Sequence, residues 1–286
     1  MRKITKAVIA LAGYGTRFLP ATKVQPKEML PIINKPIIQY LVEELIDSGI
    51  EDIIMVTRGQ YAIESHFDNN IDLEVYLGEN GKTEILKELK ELPKKANYIY
   101  VRQKKHLPYG NGTPILVAKN LIKSEENFVY MFGDDIVKSE IPATKQLIDF
   151  SYNHKGNIIL AAQEVNKSEV NKYGNITLNS DGITVKSIIE KPNMEDITSN
   201  LVSFGRYILN QDVIVELEKK ELGKNNELWL IDAISNLTKK NEVLATKIQG
   251  KWLTTGDPLN FLKTTMEYAK DDPQLWTEIK KYVNNM

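Results

Sequence analysis

A chain of 286 residues is long enough for one large domain or two ordinary ones, and its 42% hydrophobic and 26% charged content is that of a globular protein with a sizeable core. Against 37 Lys and Arg stand 38 Asp and Glu, a net charge of −1, which excludes the broad basic field that non-specific nucleic-acid binding requires. Cysteine is absent, so disulfides, thiolate catalysis and Cys-ligated zinc are excluded together, and the three histidines, His66, His106 and His154, leave little for a His-rich metal site.

The first predicted element, Lys6 to Ala12, is apolar on both faces, as a buried parallel strand is. It is too short for the apolar region of an export signal, and nothing later in the chain approaches a membrane-spanning run. The expected setting is therefore the cytoplasm, with neither membrane nor nucleic acid as partner. A Gly-rich, basic segment from Gly13 to Lys27 interrupts the pattern. After Pro36, the residues Ile37, Tyr40, Leu41 and Leu45 recur at helical spacing until Gly49, and Asp52 to Thr57 reads as a second buried strand. This strand–helix–strand unit predicts a right-handed crossover.

The alternation continues with a helix over Thr83 to Leu92, a strand over Tyr98 to Val101 and a helix over Pro114 to Ile122. A strand over Phe128 to Phe132, a helix over Thr144 to Tyr152 and a strand over Asn157 to Ala162 follow. Around Asn179-Ser180-Asp181-Gly182, apolar residues alternate with polar ones, the pattern of a hairpin. Helices are expected at Asn210 to Glu221, Leu228 to Lys239, Pro258 to Lys270 and Pro273 to Val283. The predicted fold class is α/β: a Rossmann-like, layered, mixed but mainly parallel sheet, with helices on both faces and a smaller antiparallel hairpin element. No linker, repeat or low-complexity tract divides it, so one domain over residues 1–286 is expected.

The segment Gly13-Tyr14-Gly15-Thr16-Arg17-Phe18-Leu19-Pro20, followed by Pro26-Lys27-Glu28-Met29-Leu30-Pro31, is the most informative. Two glycines after a buried strand let the backbone turn tightly and approach a phosphate. The dinucleotide fingerprint fails, because Phe18 holds its third glycine position, and the Walker pattern fails for want of a Gly-Lys-Ser/Thr. Alone, such a loop is more often a structural turn. Arg17 and Lys27 on it favour an anion site, since Arg grips phosphate bidentately and Lys acts as a compact charge. Asp134 and Asp135 follow an apolar strand, at the sheet edge where ligands bind, and a hard carboxylate there suits Mg²⁺ shared with phosphates. A turn or helix cap is the plainer account of such a pair, and it is preferred for Asp135. The histidines have no partner at metal or nucleophile spacing, the Lys/Glu-rich stretch from Lys82 to Lys105 reads as a solvated face, and Trp252 and Trp276 read as core or interface aromatics.

The run from Gly13 through Pro31 resembles the signature of bacterial UTP–glucose-1-phosphate uridylyltransferases (UDP-glucose pyrophosphorylases), members of the sugar nucleotidyltransferase family. The resemblance extends in the same order through Arg102-Gln103, Gly133-Asp134-Asp135, Lys172-Tyr173-Gly174, Glu190-Lys191-Pro192, Ser199-Asn200-Leu201 and Gly205-Arg206-Tyr207-Ile208-Leu209, so it covers nearly the whole chain. It implies catalytic roles for Arg17 and Lys27 on the triphosphate, and nucleotide contacts from Ala12, Gly13, Gly15, Thr16, Glu28, Gln103 and Gly110. It further implies sugar-phosphate contacts from Gly174, Glu190 and Lys191, and a Mg²⁺ ligand in Asp134 with Asp135 in support. UTP and glucose 1-phosphate are the implied substrates, Mg²⁺ the cofactor, and a homo-oligomer joined through the terminal helices the implied assembly.

The sequence also departs from that pattern. Ala10 and Leu11 replace the usual Ala and Pro before the loop, and the segment from His106 to Thr113 is longer, with Gly110-Asn111-Gly112-Thr113 where Gly-Leu-Gly-His is common. Thr254 stands where related enzymes place an Asp as a second metal ligand. Two alternatives follow: a sister enzyme using another nucleotide or sugar phosphate, or a weakened homologue that binds UDP-glucose and regulates a partner.

Overall fold

The computed structural model describes residues 3–59, 61–122, 127–154, 158–239 and 243–286. Its strands are β1 (Lys6–Leu11), β2 (Pro31–Ile32), β3 (Lys35–Pro36), β4 (Asp52–Thr57), β5 (Asn97–Arg102), β6 (Phe128–Phe132), β7 (Asp135–Lys138), β8 (Ile158–Glu164), β9 (Gly174–Leu178), β10 (Val185–Glu190), β11 (Leu201–Leu209), β12 (Val243–Lys247) and β13 (Lys251–Thr254). Its α-helices are α1 (Ile37–Asp47), α2 (Tyr61–His66), α3 (Ile71–Glu79), α4 (Thr83–Glu91), α5 (Thr113–Ala118), α6 (Ala143–Asn153), α7 (Gln211–Glu218), α8 (Leu230–Thr238), α9 (Pro258–Ala269) and α10 (Pro273–Asn284). None of the described helices is long and apolar enough to cross a membrane.

Nine strands form one twisted sheet with the path β10-β9-β11-β6-β1-β4-β5, and β8 and β12 join beside β11. Strand β1 pairs in parallel with β4 on one side (Leu11 opposite Thr57) and with β6 on the other (Ala10 opposite Phe132). All three strands therefore end at the same edge, and the loops after β1 and β6 line one crevice there. Successive residues of β1 point to opposite faces. Ile9 joins a core with Ile38, Leu41 and Leu45 of α1 and Leu147 of α6, whereas Val8 joins Ile115 of α5, Leu217 of α7 and Ile234 of α8. Each fully buried aliphatic side chain of this kind contributes about 1.5–3 kcal/mol.

The predicted hairpin forms as β9 and β10, antiparallel as expected. It is not a separate appendage, because Asn175 of β9 pairs with Val202 of β11 and extends the main sheet. Asn157, placed at the start of a predicted strand, lies outside the described residues. The sequence patterns did not predict α2, α3, β7, β11, β12 or β13. Strand β11 runs antiparallel to β6 and is buried along its whole length, with a register shift against β8 between Ser203 and Tyr207. That irregularity releases the Gly205 N–H from the ladder, and it donates to Asp135 Oδ2 at 3.0 Å.

Candidate active site

The crevice at the sheet edge is a cleft of about 660 Å³ lined in part by Gly13, Gly15, Thr16, Arg17, Lys27 and Asp134. After β1 the chain turns with Gly15 in the left-handed region at φ 61°, where a Cβ would press to 3.2 Å against Thr22. The Gly15 carbonyl accepts from the Phe18 N–H at 3.0 Å and the Thr22 hydroxyl at 2.7 Å, which fixes the tight turn. Thr16 begins a short 3₁₀ turn that carries Arg17 to the cleft, where Nη1 donates to the Gly256 carbonyl at 3.1 Å. A later 3₁₀ turn, Lys27–Met29, places Lys27 Nζ 2.6 Å from Asp134 Oδ2. Asp134 comes from the turn between β6 and β7, so the two sequence motifs meet as an ion pair.

Burial alone would favour neutral forms for both partners. Instead Asp134, with Glu28 and Asp135, raises the Lys27 ammonium, and Lys27, with Arg17, holds the Asp134 carboxyl below its usual range. Asp135 behaves oppositely: burial and then the neighbouring Asp134 push it up to about 6. Its two oxygens are taken by Trp252 Nε1 at 2.8 Å and the Gly205 N–H, so Asp135 braces the turn. Thr255 completes the brace by donating its N–H (2.7 Å) and its hydroxyl (2.9 Å) to the Asp134 carbonyl.

On one side of this charged centre lie Gly174, Glu190 and Lys191, all lining the cleft. A Cβ on Gly174 would meet Ser203 Oγ at 2.6 Å, so glycine is required where β9 passes β11. Burial raises the Glu190 carboxyl to about 7 despite the pull of Lys191. Lys191 has a left-handed φ of 44°, its N–H donates to the Tyr173 carbonyl at 3.0 Å, and its ammonium lies 4.2 Å above the Trp229 ring.

The remaining predicted residues are more dispersed. Ala12 is buried at the end of β1, and its carbonyl accepts from Arg58 at 3.4 Å. Gln103 follows β5, beyond β4, and its Oε1 is buried with no partner among the described residues. Gly110, at φ 132°, is pressed against the Leu228 backbone, where a Cβ would come to 2.3 Å, so its glycine is explained by packing. Glu28 is 1% exposed beneath the loop, next to Gly133, and neither of its oxygens has a partner among the described residues. Gln103, Gly110, Ala12 and Glu28 are therefore not gathered into the open cleft with the phosphate-side residues. Two of the three histidines have structural partners: His66 Nε2 pairs with Gln39 Oε1 at 2.9 Å and His154 Nδ1 with the Phe150 carbonyl at 3.0 Å.

Sequence reasoning missed Tyr14, Tyr109 and Trp229 as cleft residues, and it assigned Trp252 to packing alone. Trp252 does stack on Phe204 at 5.0 Å, but its indole N–H also serves Asp135. The glycines flanking Tyr14 were the available local signal for an aromatic held at a loop tip.

The donor set suits a cation that brings most of its own ligands. No group of three or more His, Cys, Asp or Glu among the described residues could hold a metal. A Cβ on Gly256 would lie 3.1 Å from Asp134 Oδ2 and 3.6 Å from both Arg17 Nη1 and Thr254 Oγ1, so one carboxylate, one cation and one hydroxyl converge there. A single hard carboxylate facing an open cleft fits Mg²⁺, which retains water and phosphate oxygens in its shell.

The nucleotidyl transferase family profile matches residues 6–271. The chain is 43% identical to the UTP–glucose-1-phosphate uridylyltransferase of Staphylococcus epidermidis, over 100% of this chain and 99% of that one. Its structure is similar to UTP-bound UGPase from Acinetobacter baumannii, with a TM-score of 0.87, 32% identity and 99% of each chain covered. It is also similar to a UDP-glucose pyrophosphorylase complexed with UDP-glucose, with a TM-score of 0.84, 36% identity, 94% of this chain and 99% of that one.

Proposed function

The chain belongs to the nucleotidyl transferase family, and we propose that it joins UTP and glucose 1-phosphate into UDP-glucose and pyrophosphate, with Mg²⁺ as cofactor. The observation that carries this reading is the division of one cleft. Arg17, Lys27 and Asp134 line one part of it, and Glu190 and Lys191 stand to one side at the neighbouring strand edge. A nucleotide phosphate chain matches the first group, and a sugar phosphate with hydroxyls matches the second.

In the reaction, a phosphate oxygen of glucose 1-phosphate attacks the α-phosphorus of UTP in line, a new P–O bond forms, and the bond to the β-phosphate breaks to release pyrophosphate. The attacking oxygen is already ionised at neutral pH, so no protein nucleophile or strong base is required. Arg17 and Lys27 hold and neutralise the triphosphate, Lys191 holds the sugar phosphate, and Glu190 accepts from sugar hydroxyls. Asp134 would hold Mg²⁺, which supplies charge neutralisation at the phosphate oxygens when bound. Groups aimed in this way at developing charge are each worth about 100- to 1,000-fold in rate. The nucleotide contacts of Ala12, Gly13, Gly15, Thr16, Glu28, Gln103 and Gly110 belong to this proposal, as do a cytoplasmic setting, a single domain and a homo-oligomer joined through the terminal helices.

Pyrophosphate release measured over a grid of nucleotides and sugar 1-phosphates tests the reading. UTP with glucose 1-phosphate should give the highest kcat/KM. A preference of about tenfold or more for a purine nucleotide, close to 1.4 kcal/mol of transition-state binding, would overturn it.

A further inference from the structure

We infer that Tyr14, Arg58 and Tyr109 form a latch that encloses the nucleoside end of the cleft and sets nucleotide affinity. The inference rests on the uridylyltransferase reading and extends it to residues that reading leaves without a role. The sheet order supplies the direction. The sugar-side residues Gly174 and Glu190 lie on β9 and β10 at one end of the sheet path, and the phosphate-side residues follow β1 and β6. A nucleotide laid across these edges must place its nucleoside toward β4 and β5, the strands followed by Arg58 and Gln103.

At that end the cleft has an unusual wall. Tyr14 is 57% exposed and Tyr109 45% exposed, yet both line the cleft and touch one another, with ring centroids 5.9 Å apart and planes 33° apart. The Arg58 guanidinium lies 3.5 Å from the Tyr14 ring centroid, the geometry of a cation–π contact. The contact joins two segments of different character. Tyr109 is anchored, because its carbonyl accepts from the Leu228 N–H at 2.7 Å and the Gly112 N–H donates to the Leu228 carbonyl at 2.9 Å. Tyr14 stands at the tip of the tight turn between Gly13 and Gly15, with its ring out in the cleft. A centroid separation of 5.9 Å leaves no room for a base between the rings. The pair therefore closes over the nucleoside from the side instead of sandwiching it, and Arg58 holds Tyr14 in the closed position. A solvent-exposed tyrosine held face to cation, with a second exposed tyrosine against it, has no need of that arrangement for core stability, since neither ring is buried.

The test compares the wild type with Tyr14→Ala, Tyr14→Phe, Tyr109→Ala and Arg58→Ala, using UDP and inorganic pyrophosphate as calorimetric probes beside steady-state kinetics. Contacts of bases with aromatic side chains add to affinity, so each Tyr→Ala change should weaken UDP and raise the UTP KM by about tenfold. Arg58→Ala should weaken UDP by about threefold, on the scale of an exposed cation–π contact. Pyrophosphate affinity and the glucose 1-phosphate KM should stay within about twofold of wild type, because only the nucleoside is enclosed, and Tyr14→Phe should restore UDP binding. Wild-type UDP affinity in Tyr14→Ala, or an equal loss for pyrophosphate, would overturn the latch. A wild-type chain that binds neither UDP nor UTP would instead overturn the uridylyltransferase reading on which it rests.

Discussion

Glu28 carries two carboxyl oxygens into the interior beneath the glycine loop, where the described residues offer neither a hydrogen-bond partner. Burial raises its pKa from the ordinary 4.5 to about 7, although the nearby Lys27 ammonium pulls the other way. Between those two values the folded chain holds a proton that the unfolded chain has released. Stability is therefore lost as pH rises from about 4.5 to 7 and is constant, for this group, outside that window. The interval corresponds to about 3 kcal/mol. Glu28→Gln keeps the shape and cannot ionise, so it should be more stable than wild type by up to about 3 kcal/mol at pH 8 and no different at pH 4. Urea unfolding of both proteins at the two pH values measures this, and equal midpoints at pH 8 would mean that Glu28 finds a partner in solution.

At the level of elements, the site depends on a tie between helix α1 and strand β11. Arg206 is 0% exposed, and Glu44 of α1 accepts from its Nε at 2.9 Å and its Nη2 at 2.8 Å. The same guanidinium donates to the Gly205 and Asp135 carbonyls, while Glu44 also accepts from the N–H and hydroxyl of Thr144 at the start of α6. Removing one partner strands the other as a buried charge, so Glu44→Ala should cost about 3–5 kcal/mol in a denaturant titration. The double variant Glu44→Leu with Arg206→Met should recover most of that loss, because the neutral pair leaves no charge uncompensated. A cost below about 1 kcal/mol in the single variant would show the pair to be solvated.

The same pair shows where sequence legibility ends. The parallel strands, α1 and the glycine loop could be read directly, because runs such as Asp52 to Thr57 and turns such as Gly13 to Gly15 are local. Strand β11 could not, since Ser203, Gly205 and Arg206 break any apolar pattern in a strand that is buried throughout. Their burial is met by partners far along the chain, such as Asp135 and Glu44. Helix α3 was missed for a related reason: Ile71, Val75 and Tyr76 remain exposed, so its apolar residues trace no single core face. The motif order placed Arg17, Lys27, Asp134, Glu190 and Lys191 in one cleft, but the Lys27–Asp134 pair and the Trp252–Asp135 bond join segments more than a hundred residues apart. No spacing rule reaches across that separation.

For the molecule as a whole, the order of strands in the sheet becomes an order of functions along the cleft. On the proposed function, the loops after parallel strands β1 and β6 would hold the nucleotide, and antiparallel β9, β10 and β11 would present the residues that face the sugar phosphate. On that reading the two groups act on different substrates, so removing a cation from one end should be felt by one substrate only. Lys191 is the clearest probe, because its ammonium is held over Trp229, 3.8 Å from Glu190 Oε1, and it reaches the cleft from a segment remote in sequence from the glycine loop. Losing a charge-assisted contact to a phosphate costs about 1.5–3 kcal/mol, so Lys191→Ala should raise the glucose 1-phosphate KM by about ten- to a hundredfold. The UTP KM should change by less than about twofold, and the melting temperature should be preserved because the lysine side chain is 41% exposed. Lys27→Ala should show the converse, with the loss on UTP. If Lys191→Ala instead weakened both substrates equally, the two halves of the sheet would be acting on a shared phosphate, and the assignment of β9 and β10 to the sugar would fail.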